Sequence, residues 1–185
     1  MSKTEILVTG FGGQGVILLA YIIGKTASLW EGKHATMIQS FGPEARGSAC
    51  SAEVLVSDKR VGFPYLKEAD VLVALSQEGY EQHEAQLRPE GILIYEDALV
   101  KPKPPQKNMK YFPISSTRIA EELGRKMVQN MVVLGFFTAV TGAIRPESAR
   151  EAIRKSVPKG TEELNLKAFD QGFNYAERHQ TVQKI

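Results

Sequence analysis

The sequence has a single cysteine, Cys50, and only three histidines among its 185 residues. One thiol excludes an internal disulfide, a cysteine zinc site and an iron–sulfur cluster held by this chain alone. No long hydrophobic run is present. The longest, Val16 to Ile23, spans eight residues, far short of the roughly 20 that a membrane span needs. Nor is there an excess of charge: 23 basic and 21 acidic residues leave a net charge of +2. That balance offers no electrostatic reason for a nucleic-acid or anionic-membrane partner. The opening residues reach only Ile6-Leu7-Val8 before a Thr-Gly turn, so no secretory signal is read and the cytoplasm is the expected compartment. What is present is ordinary for a globular chain: 43% apolar and 24% charged residues. The length suits one domain with a real core.

The chain reads as an α/β sandwich, three-layer-like, with a mixed and mostly parallel sheet and a helical C-terminal third. Residues 1–114 supply the sheet core, and residues 115–185 a helical portion packing on it. Glu5 to Thr9 is short, apolar and ends at glycine, as a buried strand does. A glycine turn, Gly10 to Gly15, leads into an apolar helix over Val16–Trp30, and Ala35 to Gln39 follows as a strand. Together these form a Rossmann-like βαβ unit. Ser40 to Gly47 is a loop, Ser51 to Val56 a strand, and Ser57 to Arg60 reads as a hairpin turn. Asp70 to Leu75 is the near-continuous apolar run of a central strand. A weakly amphipathic helix over Gln77–Gln86 and a strand over Gly91–Tyr95 follow. Lys101 to Asn108, with three prolines and three lysines, is an exposed loop, and Lys110–Ile114 an edge strand. Helices are expected over Ile119–Lys126, with Ser115 to Thr117 supplying the cap, and over Asn130–Thr141, Pro146–Ser156 and Glu162–His179. Two strongly apolar helices are demanding to bury in so small a chain. Any apolar face left over is an interface, and a homodimer of the isolated chain is one outcome. Trp30, Phe136 and Phe137 are read as core residues.

Gly10-Phe-Gly-Gly-Gln-Gly15 satisfies the dinucleotide-loop spacing, between a strand and a helix. Glycines let the backbone approach an anion, and a helix start offers free N–H groups. A dinucleotide enzyme also needs an acid about 20 residues on to hold the ribose. Here the second strand ends in Gln39-Ser40. The loop therefore turns the chain, meets a phosphate-bearing ligand, or meets a partner subunit. His34, His83 and His179 are scattered and read as surface or boundary residues. Cys50 reads as a small buried side chain.

Four motifs occur in order: Gly12-Gly-Gln-Gly-Val16, Phe41-Gly-Pro-Glu-Ala-Arg-Gly47, Ala69-Asp70 and Asn130-Met-Val-Val-Leu-Gly135, followed by Leu164-Asn-Leu-Lys-Ala-Phe169. From about Ile6 to Gly172 the chain resembles the gamma subunit of 2-oxoacid:ferredoxin oxidoreductases. One departure is Arg46-Gly47-Ser48, where family members commonly carry Arg-Gly-Gly. The serine adds a side chain beside whatever the loop admits.

The resemblance implies a non-catalytic subunit of an enzyme that oxidatively decarboxylates a 2-oxoacid, with 2-oxoglutarate favoured. Coenzyme A is the co-substrate, and ferredoxin or flavodoxin takes the electrons. Thiamine diphosphate, magnesium and iron–sulfur clusters are expected in the alpha, beta and ferredoxin-like delta subunits, because this sequence carries no signature for them. Gly12, Gly13, Gln14, Gly15 and Arg46 are the candidate ligand-contacting residues. Arg46 is open to a salt bridge with Glu44 or a partner carboxylate, or to a phosphate of coenzyme A. The Gln14 amide suits a ligand or a partner backbone equally. A free-standing dinucleotide-binding oxidoreductase and a ligand-free scaffold subunit are the alternatives.

Overall fold

The computed structural model describes residues 3–42, 49–105 and 108–182. Six strands form one sheet: β1 (Lys3–Phe11), β2 (His34–Phe41), β3 (Ala49–Ser57), β4 (Ala69–Ala74), β5 (Leu87–Glu96) and β6 (Lys110–Ile114), in the spatial order β2-β3-β1-β4-β5-β6. β3 runs antiparallel to both of its neighbours, and the β1–β4, β4–β5 and β5–β6 pairs are parallel. Five strands thus share one direction, which is the mixed, mostly parallel sheet expected.

β1 and β2 are parallel, joined by helix α1 (Val16–Glu31), but they are not neighbours. β3 lies between them, in register with both. The hairpin is therefore β2–β3, closed at the Gly42 N–H to Ala49 carbonyl bond of 2.9 Å. The turn expected at Ser57–Arg60 makes no hairpin. Apolar patterning marks where strands exist, whereas pairing depends on connection length. A short link returns a strand antiparallel, and a parallel return needs a crossover. The segment 58–68 instead runs past β1 to reach β4. The Leu66 N–H bonds Glu53 Oε2 at 3.0 Å, and the Lys67 N–H bonds Glu5 Oε1 at 3.2 Å.

Strand alternation sends side chains to two different layers. Ile6, Val8, Val54, Val56, Val71 and Val73 meet α1 and the C-terminal helices α3 (Ser116–Glu122), α4 (Gln129–Thr141), α5 (Pro146–Arg154) and α6 (Glu162–Val182). Leu7, Leu72, Ala74 and Leu93 meet Tyr80 of α2 (Gln77–His83) and Val100 on the opposite face. The apolar helices are largely absorbed by this arrangement. Gln129 through Thr138 are all buried, Phe136 and Phe137 included, and α1 leaves only Tyr21 and Leu29 as exposed large apolar side chains. Trp30 is partly buried against the core.

Two contacts explain motifs that looked functional. A Cβ on Gly135 of α4 would collide with the Phe169 carbonyl of α6, and one on Gly172 with the Val132 carbonyl. These glycines let α4 and α6 touch backbone to backbone. The Asp70 carboxylate accepts the Glu5 N–H at 2.6 Å and pairs with Arg88. It ties β4, β1 and β5 at the amino edge of the sheet, far from the glycine loop.

Candidate functional site

β1 leads through Gly12–Gly15 into α1 on one face. Its parallel neighbour β4 leads through Leu75-Ser76 into α2 on the other face. The chain proceeds from β1 towards β2 on one side and from β4 towards β5 on the other. The β1/β4 boundary is therefore the topological switch point, where open α/β sheets form a crevice beyond the strand carboxyl ends.

Gln14 laces this crevice. Its Oε1 accepts the Phe11 N–H at 2.6 Å, its Nε2 donates to the Leu75 carbonyl at 2.8 Å, and its own N–H closes the turn on the Phe11 carbonyl at 3.1 Å. The amide that sequence alone left open is used within the chain, joining the loop after β1 to the loop after β4. Gly12 and Gly13 are exposed at the rim. Gly15 caps α1 with φ 75°, a conformation that strains any residue with a Cβ. A Cβ there would also strike the side chain of Asn130. Asn130 is 4% exposed and its Nδ2 lies 3.5 Å from the Gly15 carbonyl, so the second asparagine-led motif holds the first glycine motif in place. No side chain caps α1, and its first turn contains no acid. Its first N–H groups, which lack intrahelical acceptors, are thus open to an anion.

The second arm leaves the same edge. Gly10, Cys50 and Phe41 are in register across β1, β3 and β2, so β2 ends and β3 begins at the same carboxyl edge as the glycine loop. Arg46 and most of its motif lie outside the described residues. Phe41 is 66% exposed at the start of that arm. Cys50 is buried, and burial pushes its thiol above the ordinary range, which fits an unreactive packing residue.

One part of this edge was missed from sequence. Glu96, at the end of β5, is fully buried. Its Oε2 accepts from Ser116 Oγ, from the Thr117 N–H at 3.1 Å and from Gln129 Nε2 at 3.3 Å. Glu96 therefore supplies the α3 cap that was expected from Ser115 to Thr117. Ser115 Oγ donates to Asp97 instead. The same carboxylate anchors Gln129, the residue before Asn130. A lone glutamate closing an apolar strand carries no sequence signal for this role. His34 is exposed and His83 half-buried, and His83 Nδ1 meets Gln86 Oε1 at 3.0 Å. Among the described residues no group of three His, Cys, Asp or Glu side chains is placed to hold a metal ion. No helix among them is long and apolar enough to cross a membrane.

The family described as pyruvate ferredoxin/flavodoxin oxidoreductase matches residues 5–175. The chain belongs to this family. Within it, the chain is 43% identical over 176 residues to 2-oxoglutarate synthase subunit KorC of Methanocaldococcus jannaschii, covering 94% of each chain. It is also 43% identical to the KorC subunit of Methanothermobacter marburgensis, over 92% of this chain and 95% of that one. The crystal structure of a keto/oxoacid ferredoxin oxidoreductase gamma subunit from Geobacter sulfurreducens superposes with a TM-score of 0.83 at 38% identity, over 95% and 99% of the two chains. Apart from the 41–47 motif, the oxidoreductase-family motifs found in the sequence have places among the described residues. The glycine loop and Asn130 meet at the switch point, while Ala69-Asp70, Gly135 and the 164–169 segment belong to packing.

Proposed function

We propose that this chain, acting as a single domain, is the gamma subunit of a cytoplasmic 2-oxoglutarate:ferredoxin oxidoreductase. The enzyme converts a 2-oxoacid and coenzyme A to acyl-CoA and carbon dioxide, and passes two electrons to ferredoxin or flavodoxin. The observation that carries this reading is near-full-length likeness to relatives named as 2-oxoglutarate synthase subunits. Thiamine diphosphate, magnesium and the clusters reside in the alpha, beta and ferredoxin-like delta subunits and supply the carbanion and electron chemistry.

The part assigned to this chain is to bind and orient. The carboxyl edge around Gly12–Gly15 faces the thiamine-bearing partner. Phe41, Leu99 and Met127, exposed by 66%, 48% and 86% at the ends or approaches of elements along this edge, give it apolar contact area. The N–H groups at the start of α1 and the Arg46 guanidinium meet the phosphates of coenzyme A. Gln14 and Asn130 hold the loop that presents those N–H groups, and their own amides are engaged within the chain. A ligand-free scaffold role is the competing reading, favoured by that internal use of Gln14. A dinucleotide site finds less support: β2 ends without an acid and is separated from β1 by β3.

The test is made on the assembled enzyme. Arg46→Ala raises the Michaelis constant for coenzyme A on the order of tenfold to a hundredfold, because a charge-assisted contact contributes about 1.5–3 kcal/mol. Decarboxylation of the 2-oxoacid stays largely intact. Failed assembly with unchanged coenzyme A kinetics in whatever complex forms would make Arg46 an interface residue and leave the scaffold reading standing.

A further inference from the structure

The two edges of the sheet are built differently. β6 is short, five residues, with Lys110 at its start and Pro113 within it. A charge and a proline are the usual protection of a strand edge against pairing. β2 has neither. Its eight residues, His-Ala-Thr-Met-Ile-Gln-Ser-Phe, contain no proline and no lysine, arginine or carboxylate, and its ladder with β3 runs from His34 to Phe41 without a bulge. None of its residues is buried, although Ala35 and Met37 pack partly against the core. The outer edge of β2 pairs with no other strand in the sheet, so it presents a row of main-chain donors and acceptors, which only another β-strand matches along its whole length.

We propose that the β2 edge pairs antiparallel with β2 of a second copy of this chain, joining two sheets into one. The strand is self-complementary in three respects. It is uncharged apart from His34, so two copies bring no like charges into opposition. A two-fold axis normal to the sheet keeps each face on its own side, so opposed residues must be of the same parity. Centring that axis on Ile38 places Ile38 against its own copy, Met37 against Gln39 and Ala35 against Phe41. It also places Thr36 against Ser40. Cross-strand pairs of hydroxyl side chains such as Thr and Ser are favourable. Phe41, exposed in the single chain, gains an apolar neighbour in Ala35. This pairing is independent of the coenzyme A reading, since β2 meets the carboxyl edge only at its last residues.

Sedimentation of the full chain over a wide concentration range tests the proposal. The wild type forms a dimer. Ile38→Lys, which sets two ammonium groups opposite one another, weakens it by at least about tenfold, while Leu29→Lys on exposed α1 leaves it unchanged. Ile38→Cys tests the register, since directly opposed Cβ atoms lie about 4.5–5.5 Å apart. It forms a symmetric intermolecular disulfide under mild oxidant, and Leu29→Cys does not. The cysteine variant decides the matter if Ile38→Lys does not fold. A wild type monomeric at every concentration, or a dimer indifferent to Ile38→Lys, overturns the proposal. So does a β2 edge that gains amide-exchange protection only on assembly with the other subunits, since that assigns the edge to a partner's strand.

Discussion

At the scale of single residues, the glycine loop is held from outside itself. Gly15 sits at positive φ directly under Asn130, so Gly15→Ala meets both backbone strain and a collision. It is expected to destabilise the chain by about 1–3 kcal/mol, read as a lowered urea midpoint. Asn130→Ala in the same chain removes the collision but not the strain, so the double variant recovers part of that loss and not all of it. Full recovery would mean that φ carries no cost here. No recovery would mean that Asn130 does not crowd the site. Gln14→Leu has a different signature. It leaves the Phe11 N–H and the Leu75 carbonyl without their side-chain partner, at a cost of about 1–3 kcal/mol. Because those bonds join the two loops of the switch point, the assembled enzyme should also lose affinity for coenzyme A. A stability loss with unchanged coenzyme A kinetics would separate the loop's architecture from its ligand role.

At the scale of elements, the tightest packing is between α4 and α6. Gly135 and Gly172 each sit against a carbonyl of the other helix, which leaves no space for a methyl group. Alanine favours a helix by about 1 kcal/mol over glycine. Here Gly172→Ala should nevertheless be destabilising by about 1–3 kcal/mol or more, because the helices must separate and the interior resists overpacking. Equilibrium denaturation is the measurement, and a stabilised Gly172→Ala chain would contradict the crossing described. Strands and helices were placed from periodicity to within a few residues, since α1 and α4 carry their own start and stop signals in Gly15, Gly32 and Gly142. The β2–β3 hairpin was not foreseen, because the 42–48 sequence resembles a functional loop and the Ser57–Arg60 turn residues pointed elsewhere. The local rule assigns the α3 cap to the Ser115–Thr117 run, whereas a carboxylate 21 residues from the Thr117 N–H supplies it.

At the scale of the whole molecule, the second face of the sheet contributes a pH dependence. Tyr80 is buried beneath the 101–105 segment. Its hydroxyl accepts the Lys103 N–H at 3.1 Å, and burial pushes its phenol well above the ordinary value. Folding thus favours the neutral phenol. The contribution is complete below the unfolded value of about 10 and is lost as pH rises from there through the raised folded value. Stability should therefore fall with increasing pH above about 10. Tyr80→Phe should make that fall shallower, as measured by urea unfolding at a series of alkaline pH values. An identical slope in the variant would remove Tyr80 as its source. The Lys103–Glu84 pair at the rim of the same region is exposed on the lysine side, and surface pairs of this kind add little.

Sequence alone determined the class of the chain. A near-neutral charge, one thiol and short apolar runs exclude whole categories of protein, and hydrophobic periodicity states which segments turn inward. It also carried the family, because Gly12 to Val16, Asn130 to Gly135 and their order survive as local words. The tertiary structure decided what those words do. That Asn130 locks Gly15, that Gln14 bridges to Leu75 and that Glu96 anchors both α3 and Gln129 are contacts across 115, 61 and up to 33 positions. So is the assignment of Asp70 to the amino edge, 65 positions from Glu5. The physical reason is range. Propensity and periodicity act over a few residues along the chain. Strand order, helix crossings and side-chain hydrogen bonds are chosen by the packing of segments whose separation in sequence says nothing about their distance in space.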